Sequence, residues 1–561
     1  MILLDVIVLI LLIILPPVLL AKRFVRNALA QTAAGAVMLL SAGVLISVLM
    51  QFVHVPIRRD TLLLAHGLYL VFAFCLAFPL WRQKKRNHNW RDWLPVLLLP
   101  AALIVFPYTR FTGIDTYKWQ DLATAIAVEE QIPWLLHPVG LFGFLPRSYP
   151  SLQPVLLANI QIMGNLGVDG GFRILSLLII WAGFVTSRCW FAGFVKRSHA
   201  DWCALAYVLS PVFMRYSHWA TGRGLFLALF PALLCLLTPC ATASPPATTR
   251  TARNWPRWLG IITTALLLAL SHKAAWIALP LVLIASVAYR IIPARWQHRT
   301  LALLPFFLAG ILISRGMFLP GVPGKTMGAI WLMLSRFAWL LPFGVYTWVF
   351  RAKYPVFTRQ PLIHFAFLPC ILLAFDPQMY GALIALPFIV ALAMPLVFSC
   401  MDDLPDPAAR YVAAMLASIL LVSAGAVVMQ RSMQAATADV KAVAIFLNEH
   451  DPRGPFQIHA PEDIRTRVQA YVTGCPRFAL SGTPQIHTSW PAPPPIQNVF
   501  SQNTVMQWTA WLRNIVTVQD LDVQWYGNVL RHYHLEVEGR GNIPRNTRLI
   551  YQNKTVRLYE E

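Results

Sequence analysis

Y-T-R-F-T-G-I-D-T-Y-K-W-Q-D-L-A-T-A-I-A-V-E-E fills residues 108–130, between apolar runs near 93–107 and 171–195. It opens a polar loop, 108–150, that closes on P-R-S-Y-P at 146–150. Other loops between apolar runs are mostly short and basic, whereas this one carries Asp115, Asp121, Glu129 and Glu130. Only 24 of the 561 residues are acidic, so a group of them beside hydrophobic spans needs a reason. One reason is a solvated surface helix. The other is a site that needs a carboxylate at the edge of a membrane, where an ionisable group is costly unless it has a partner or a task.

The surrounding composition sets the class. The chain is 57% hydrophobic and 12% charged, with a mean hydropathy of +0.57. Soluble domains carry about 25% charged residues. Apolar runs near 20 residues recur at 2–21, 32–53, 61–80, 93–107, 171–195, 202–216, 223–240, 257–271, 274–292, 300–314, 327–350, 361–375, 379–399 and 409–430. They predict an all-α polytopic membrane protein of about 14 transmembrane helices. The first run lacks a basic leader and a small-residue cleavage site, so it reads as a retained span.

The net charge of +22 does not point to nucleic acid. The basic residues sit in short loops, where they set topology, and no aromatic-basic platform accompanies them. The stretch W-R-Q-K-K-R-N-H-N-W-R-D at 81–92 is placed in the cytoplasm. Alternation then puts Lys22/Arg23/Arg26, Lys196/Arg197, Arg250/Arg253/Arg257, Arg295/Arg299 and Arg351/Lys353 inside as well. Arg58 and Arg59 fall outside and dissent. The loop 108–150, the turns at 217–223, 271–274, 315–326 and 375–380, and the C-terminal segment all face out, to the periplasm if the cell has two membranes.

Within the outward loop, 115–130 reads as an amphipathic interfacial helix with Leu122, Ala125 and Ile126 at helical spacing. The stretch 151–163 reads as a second interfacial or re-entrant helix, and G-N-L-G-V-D-G-G at 164–171 as a joint. Three segments result: N-terminal spans at 1–93, a transmembrane core at 94–430 with the outward loop 108–170, and a soluble extracytoplasmic domain at 431–561. In that small α/β or β-rich domain, helices are expected at 434–449 and 461–471. Strands are expected at 456–459, 477–480, 517–519, 532–537, 548–552 and 555–559, with a proline-rich loop at 491–495. It holds no cysteine pair and no nucleotide, metalloprotease or hydrolase fingerprint. Structural support or acceptor docking is the role expected of it.

Asp115 stands just outside a span. A carboxylate there can take a proton from an acceptor hydroxyl or amine, or orient a divalent cation, a cofactor the sequence allows without requiring it. It can equally cap the following helix. Asp121, six positions on, faces elsewhere and is the second candidate. A set of outward cations, Arg147, Arg223, His272, Lys273, Arg315 and Lys325, can receive the negative charge of a departing phosphate, or merely snorkel to headgroups. His218 lies in an outward turn beside Trp219. Tyr108, Tyr117, Trp119, Trp134 and Tyr149 are aromatic-belt candidates first and sugar platforms second.

The order of these features resembles the GT-C membrane glycosyltransferases, in the branch of the lipid A aminoarabinose transferases and protein O-mannosyltransferases. Four segments within about 94–400 carry the likeness. They are D-T-Y at Asp115–Tyr117; R-S-Y-P-S-L-Q-P-V-L-L-A at 147–158 followed by G-F-R-I-L-S-L-L around Arg173; A-Y-V-L-S-P-V-F-M-R-Y-S-H-W-A at 206–220 with S-H-K-A-A-W-I-A-L-P at 271–280; and D-P-Q-M-Y-G-A-L-I-A-L-P-F-I-V, with Tyr380 leading a late span. The chain departs from the family in three places. Three spans precede the one leading into the loop where the family has one, Arg223 stands where many members have Asp, and D-T-Y replaces D-E-x-x-Y.

The resemblance implies transfer of a sugar, with inversion, from a polyprenyl-phosphate donor to a glycan, lipid or protein acceptor at the outer face of the cytoplasmic membrane. Asp115 would activate the acceptor, and Lys273 with Arg147 or Arg223 would hold the carrier phosphate. Tyr117, Tyr149, His218, His272, Arg315 and Tyr380 would complete the substrate site. A transporter or flippase of a lipid-linked or small anionic solute is the alternative. It calls for broken helices, midplane charges and a repeat, and no repeat stands out. A membrane scaffold whose C-terminal domain does the binding is a third reading.

Overall fold

Ten of the fourteen apolar runs fold as helices in the computed structural model, which describes residues 2–24, 28–81, 114–132, 150–193, 195–237, 255–291, 335–338, 340, 380–402, 405–432, 437–451, 456–472, 531–537 and 539–561. The runs at 93–107, 300–314 and 361–375, and most of 327–350, lie outside the described residues. The helices are α1 (Ile2–Phe24), α2 (Ala28–Phe52), α3 (Arg59–Trp81), α4 (Ile114–Glu129), α5 (Leu152–Gly164), α6 (Val168–Phe191), α7 (Arg197–Val208), α8 (Pro211–His218), α9 (Gly222–Leu237), α10 (Trp255–Ser271), α11 (Ala275–Ile291), α12 (Tyr380–Asp402) and α13 (Asp406–Ser432). Beyond them come α14 (Ala438–His450), β1 (Phe456–His459), α15 (Glu462–Gln469), β2 (Arg531–Val537), β3 (Arg548–Gln552) and β4 (Val556–Glu560). Four described helices are long and apolar enough to cross a membrane, those holding 30–52, 59–76, 168–191 and 410–427.

Burial separates centre from rim. α2 and α6 are largely buried, and α6 packs on α9, α7, α2 and α5. Where helices cannot gain from excluding water, close approach and interhelical hydrogen bonds hold them. Gly183 lets the Phe213 ring pass where a Cβ would stand 2.3 Å from Cζ. Thr186 donates to the Ala228 carbonyl at 2.6 Å, and Tyr207 to that of Leu227 at 2.7 Å. At the rim, α3, α10, α11 and α13 expose Leu64, Leu68, Phe72, Ile262, Leu283, Met415 and Val422, an apolar surface suited to lipid.

Two expectations are corrected. The run 202–216 is not one span but two helices, because Ser210 caps a new start at Pro211. The Ser210 hydroxyl accepts from the Phe213 amide at 3.3 Å, and proline disfavours a helical residue before it. Nor is 151–163 an interfacial helix on the surface. α5 is buried against α1, α2, α3, α4 and α6, and the Asn159 amide donates to Gly43 O at 2.7 Å and Ser47 Oγ at 2.8 Å.

The C-terminal segment forms a four-stranded sheet in the order β1-β2-β4-β3. β3 and β4 make the expected antiparallel hairpin, whereas β1 pairs with β2 in parallel, a long-range match that local pattern does not reveal. The expected strands at 477–480 and 517–519 and the loop at 491–495 lie outside the described residues.

Candidate functional site

α4 takes its place from neighbours on several sides. Leu122, Ala123 and Ile126 are fully buried, and Ala125 nearly so. Gln120 and Gln161 exchange amide hydrogen bonds at 3.1 and 2.7 Å, fixing α4 on α5. At its far end the Ile57 amide donates to the Glu130 carbonyl at 2.6 Å, and Arg58 Nε reaches Glu130 Oε2 at 2.5 Å. Thus Arg58, the outward dissenter from the charge rule, pairs with one of the loop's acids. Glu130 is correspondingly half-buried rather than free on a solvated face. Such a partly exposed pair contributes about 0.2–1 kcal/mol.

Near its start, the Thr116 hydroxyl points to the Trp219 carbonyl at 3.4 Å. Asp115, the residue before, is therefore carried to the turn between α8 and α9. Asp115 lies in the first described turn of α4. The side chains of Asp115 and Asp121 lie outside what the structure describes.

That turn is built from small residues. Ala220 adopts φ 45°, and its amide caps α8 by donating to Ser217 O at 2.8 Å. In T-G-R-G, a Cβ on Gly222 would lie 2.1 Å from the Ser271 carbonyl oxygen, and one on Gly224 2.7 Å from that of Tyr216. Only glycine lets the start of α9 lie against the ends of α10 and α8. Gly222→Ala should therefore lower stability by about 1–3 kcal/mol through overpacking against backbone. A fall in thermal midpoint of the detergent-solubilised chain checks this, and an unchanged midpoint would mean that the contact is looser than drawn.

The close approach delivers Arg223 beside the turn after α10. Its guanidinium lies 5.3 Å from the Tyr216 ring centre, and that of Arg215 lies 5.2 Å from the Trp219 ring, both in cation–π range. His272 is 4% exposed and Lys273 9%. His272 Nδ1 accepts from the Ala274 amide at 3.1 Å, which leaves Nε2 as its donor, and its ring lies 5.4 Å from that of Tyr380. Burial, then Arg223 and Lys273, hold the His272 pKa well below the usual range. Burial alone lowers Lys273 to about 8. No salt bridge to Lys273 occurs among the described residues. Two cations and a neutral imidazole held together this way are suited to an anion.

The structure thus gathers Arg223, His272, Lys273 and Tyr380, with the Asp115 backbone near the same end of the bundle. His218 ends α8, on the same turn. Tyr117 and Trp119 are not belt residues at the described surface: Tyr117 is fully buried and Trp119 is 8% exposed. The Tyr117 ring instead meets Tyr471 of the C-terminal segment at 6.2 Å. Arg147, Tyr149, Arg315, Lys325, Tyr108 and Trp134 lie outside the described residues. Among the described residues no group of three or more His, Cys, Asp or Glu side chains is arranged to hold a metal ion.

One cluster was missed from the sequence. His459, His532 and His534 meet on the C-terminal sheet. The signal was H-x-H on an expected strand, which puts both histidines on one face.

No protein-family model and no curated protein matches the chain. Solved structures of the oligosaccharyltransferase of Archaeoglobus fulgidus are similar to it. Its complex with Zn and sulfate is 14% identical with a TM-score of 0.44, over 68% of this chain and 62% of that one. Its form tethered to an acceptor peptide with an NVT sequon is 12% identical with a TM-score of 0.49, over 80% and 70%. The apo form is 12% identical with a TM-score of 0.43, over 78% and 69%.

Proposed function

We propose that this chain is a GT-C-type membrane glycosyltransferase that moves a sugar from a polyprenyl-phosphate donor to an acceptor at the outer face of the membrane. The observation that carries it is the cationic turn of half-buried Arg223 with buried His272 and Lys273, set at the end of the bundle where α4 brings in Asp115. The Asp115 carboxylate takes the proton of the acceptor hydroxyl or amine as that atom bonds to the sugar C1. The bond from C1 to the carrier phosphate oxygen breaks on the opposite face, so the configuration inverts. Lys273 and Arg223 neutralise the charge that gathers on the departing phosphate, and His272 Nε2–H is available as a further donor.

In this reading the chain divides into the segments 1–93, 94–430 and 431–561, and the last is set on the side of α4, a placement supported by the bonds of Lys441 and Tyr471 to Asp169 at the start of α6 and by the Tyr471 ring against Tyr117. The transporter reading gains little, because the gathered cations stand at one end of the bundle. Reconstitution of the full chain into liposomes with a labelled polyprenyl-phosphate sugar tests the proposal. Carrier-dependent transfer to added glycan, lipid or peptide acceptors is the expected result. Protein-dependent solute uptake without any transfer would overturn it.

A further inference from the structure

His459 closes β1, and His532 and His534 stand two apart on β2, with His459 opposite His534 in the parallel register. All three imidazoles therefore share one face of the sheet. His459 Nε2 lies 2.9 Å from His532 Nδ1. The His459 ring also stacks on His534 at 4.6 Å with planes 14° apart. His534 is 6% exposed, and its Nε2 lies 2.9 Å from Glu561 Oε2. Its Nδ1 has no hydrogen-bond partner among the described residues.

Two ring nitrogens this close share one proton as an N–H···N bond. A second proton would set two N–H groups head to head. The other charged groups facing His459 are Glu561, beyond β4, which attracts an imidazolium, and Arg465 of α15, which repels one. One carboxylate thus offsets at most one of three imidazolium charges.

The cluster is connected to the candidate site by a continuous run of chain. β1 leads through Pro461 into α15, which packs on α4 and ends beside Tyr471. The Tyr471 hydroxyl donates to Asp169 Oδ1 at 3.1 Å, its ring meets Tyr117, and Lys441 Nζ holds Asp169 Oδ2 at 2.7 Å. The Asn448 amide donates to the Tyr471 carbonyl at 2.8 Å.

We propose that the three histidines form an acid-sensitive latch. When more than one of them is protonated, β1 parts from β2, Tyr471 leaves its seat between Tyr117 and Asp169, and the helix carrying Asp115 is released. Release of α4 stands on this geometry alone. Its consequence for sugar transfer rests on the function proposed above.

The direction in pH follows from linkage. Burial first, then the neighbouring imidazoles, hold His459 below its usual 6.5. The unfolded chain therefore binds more protons than the folded one below that value. Stability is full above it and falls as pH drops through it toward the folded value.

Hydrogen exchange of the full chain in detergent, read by mass spectrometry at about pH 7.5 and about pH 5 and corrected for intrinsic rates, tests the latch. Acid should speed exchange of residues 114–129 and 531–537 by about tenfold or more in the wild type. His459→Gln should abolish that acid response. Unchanged protection of 114–129 in the wild type, or an equal acid response in His459→Gln, would overturn the proposal. If His459→Gln is unprotected even at the higher pH, His532→Gln replaces it and is read the same way. If α4 loosens in acid while transfer does not fall, the latch stands and the catalytic reading of Asp115 fails.

Discussion

Asp115→Asn is expected to lower sugar transfer by about 10²- to 10⁴-fold while leaving the fold intact, the range a positioned general base contributes. The substitution keeps size and shape and removes only the ability to take the acceptor proton. Its structural cost is bounded. The described clamp on α4 runs through Gln120, Thr116, Tyr117 and Glu130, and losing one charge in a first turn costs about 0.3–1 kcal/mol. Asp121 is the internal control. Six residues on, it lies about 240° around the helix from Asp115 at 100° per residue, so it does not share that face. Asp121→Asn should transfer at close to the wild-type rate. Initial rates in liposomes with a labelled lipid-linked sugar decide the matter. Normal turnover in Asp115→Asn would sink the assignment, and loss in Asp121→Asn alone would move it about one and two-thirds turns along α4.

The sequence carried much of the fold because hydrophobic run length is a strong local signal. The four short elements at 456–459, 532–537, 548–552 and 555–559 were also legible, since alternation and β-branched residues mark strands. What escaped was set by partners far along the chain. Nothing local says that β1 pairs in parallel with β2, more than seventy residues on. Tyr117 and Trp119 read as belt residues because their sequence neighbours are polar, yet the packing of the C-terminal segment on α4 buries Tyr117 against Tyr471. The pairing of Arg58 with Glu130, seventy-two residues on, was equally out of reach of local pattern. Arg223, His272 and Lys273 were each named from the sequence among six outward cations, but not the reason these three come together. That reason is the pair of glycines flanking Arg223, which admit the backbones of Ser271 and Tyr216.

Lys273 should give the second large effect, and a characteristic one in pH. A buried ammonium with its pKa lowered to about 8 is charged below that value and neutral above it. Donor binding should therefore be full below pH 8 and weaken as pH rises through it. A bound phosphate favours the charged form and raises the pKa, so the fall shows first in kcat/KM, which reports the free enzyme. Lys273→Met keeps the apolar stem and removes the charge. Loss of a charge-assisted contact of about 1.5–3 kcal/mol corresponds to a fall of about 10- to 150-fold in kcat/KM. It should also erase the alkaline limb. Lys273→Arg separates charge from geometry. Its guanidinium stays protonated across the range, so whatever activity it retains should no longer decline near pH 8. His272 cannot supply that limb, because burial, then Arg223 and Lys273, already hold its pKa well below this range. An alkaline limb that persists unchanged in both variants would show that another group titrates there and that Lys273 does not hold the carrier phosphate.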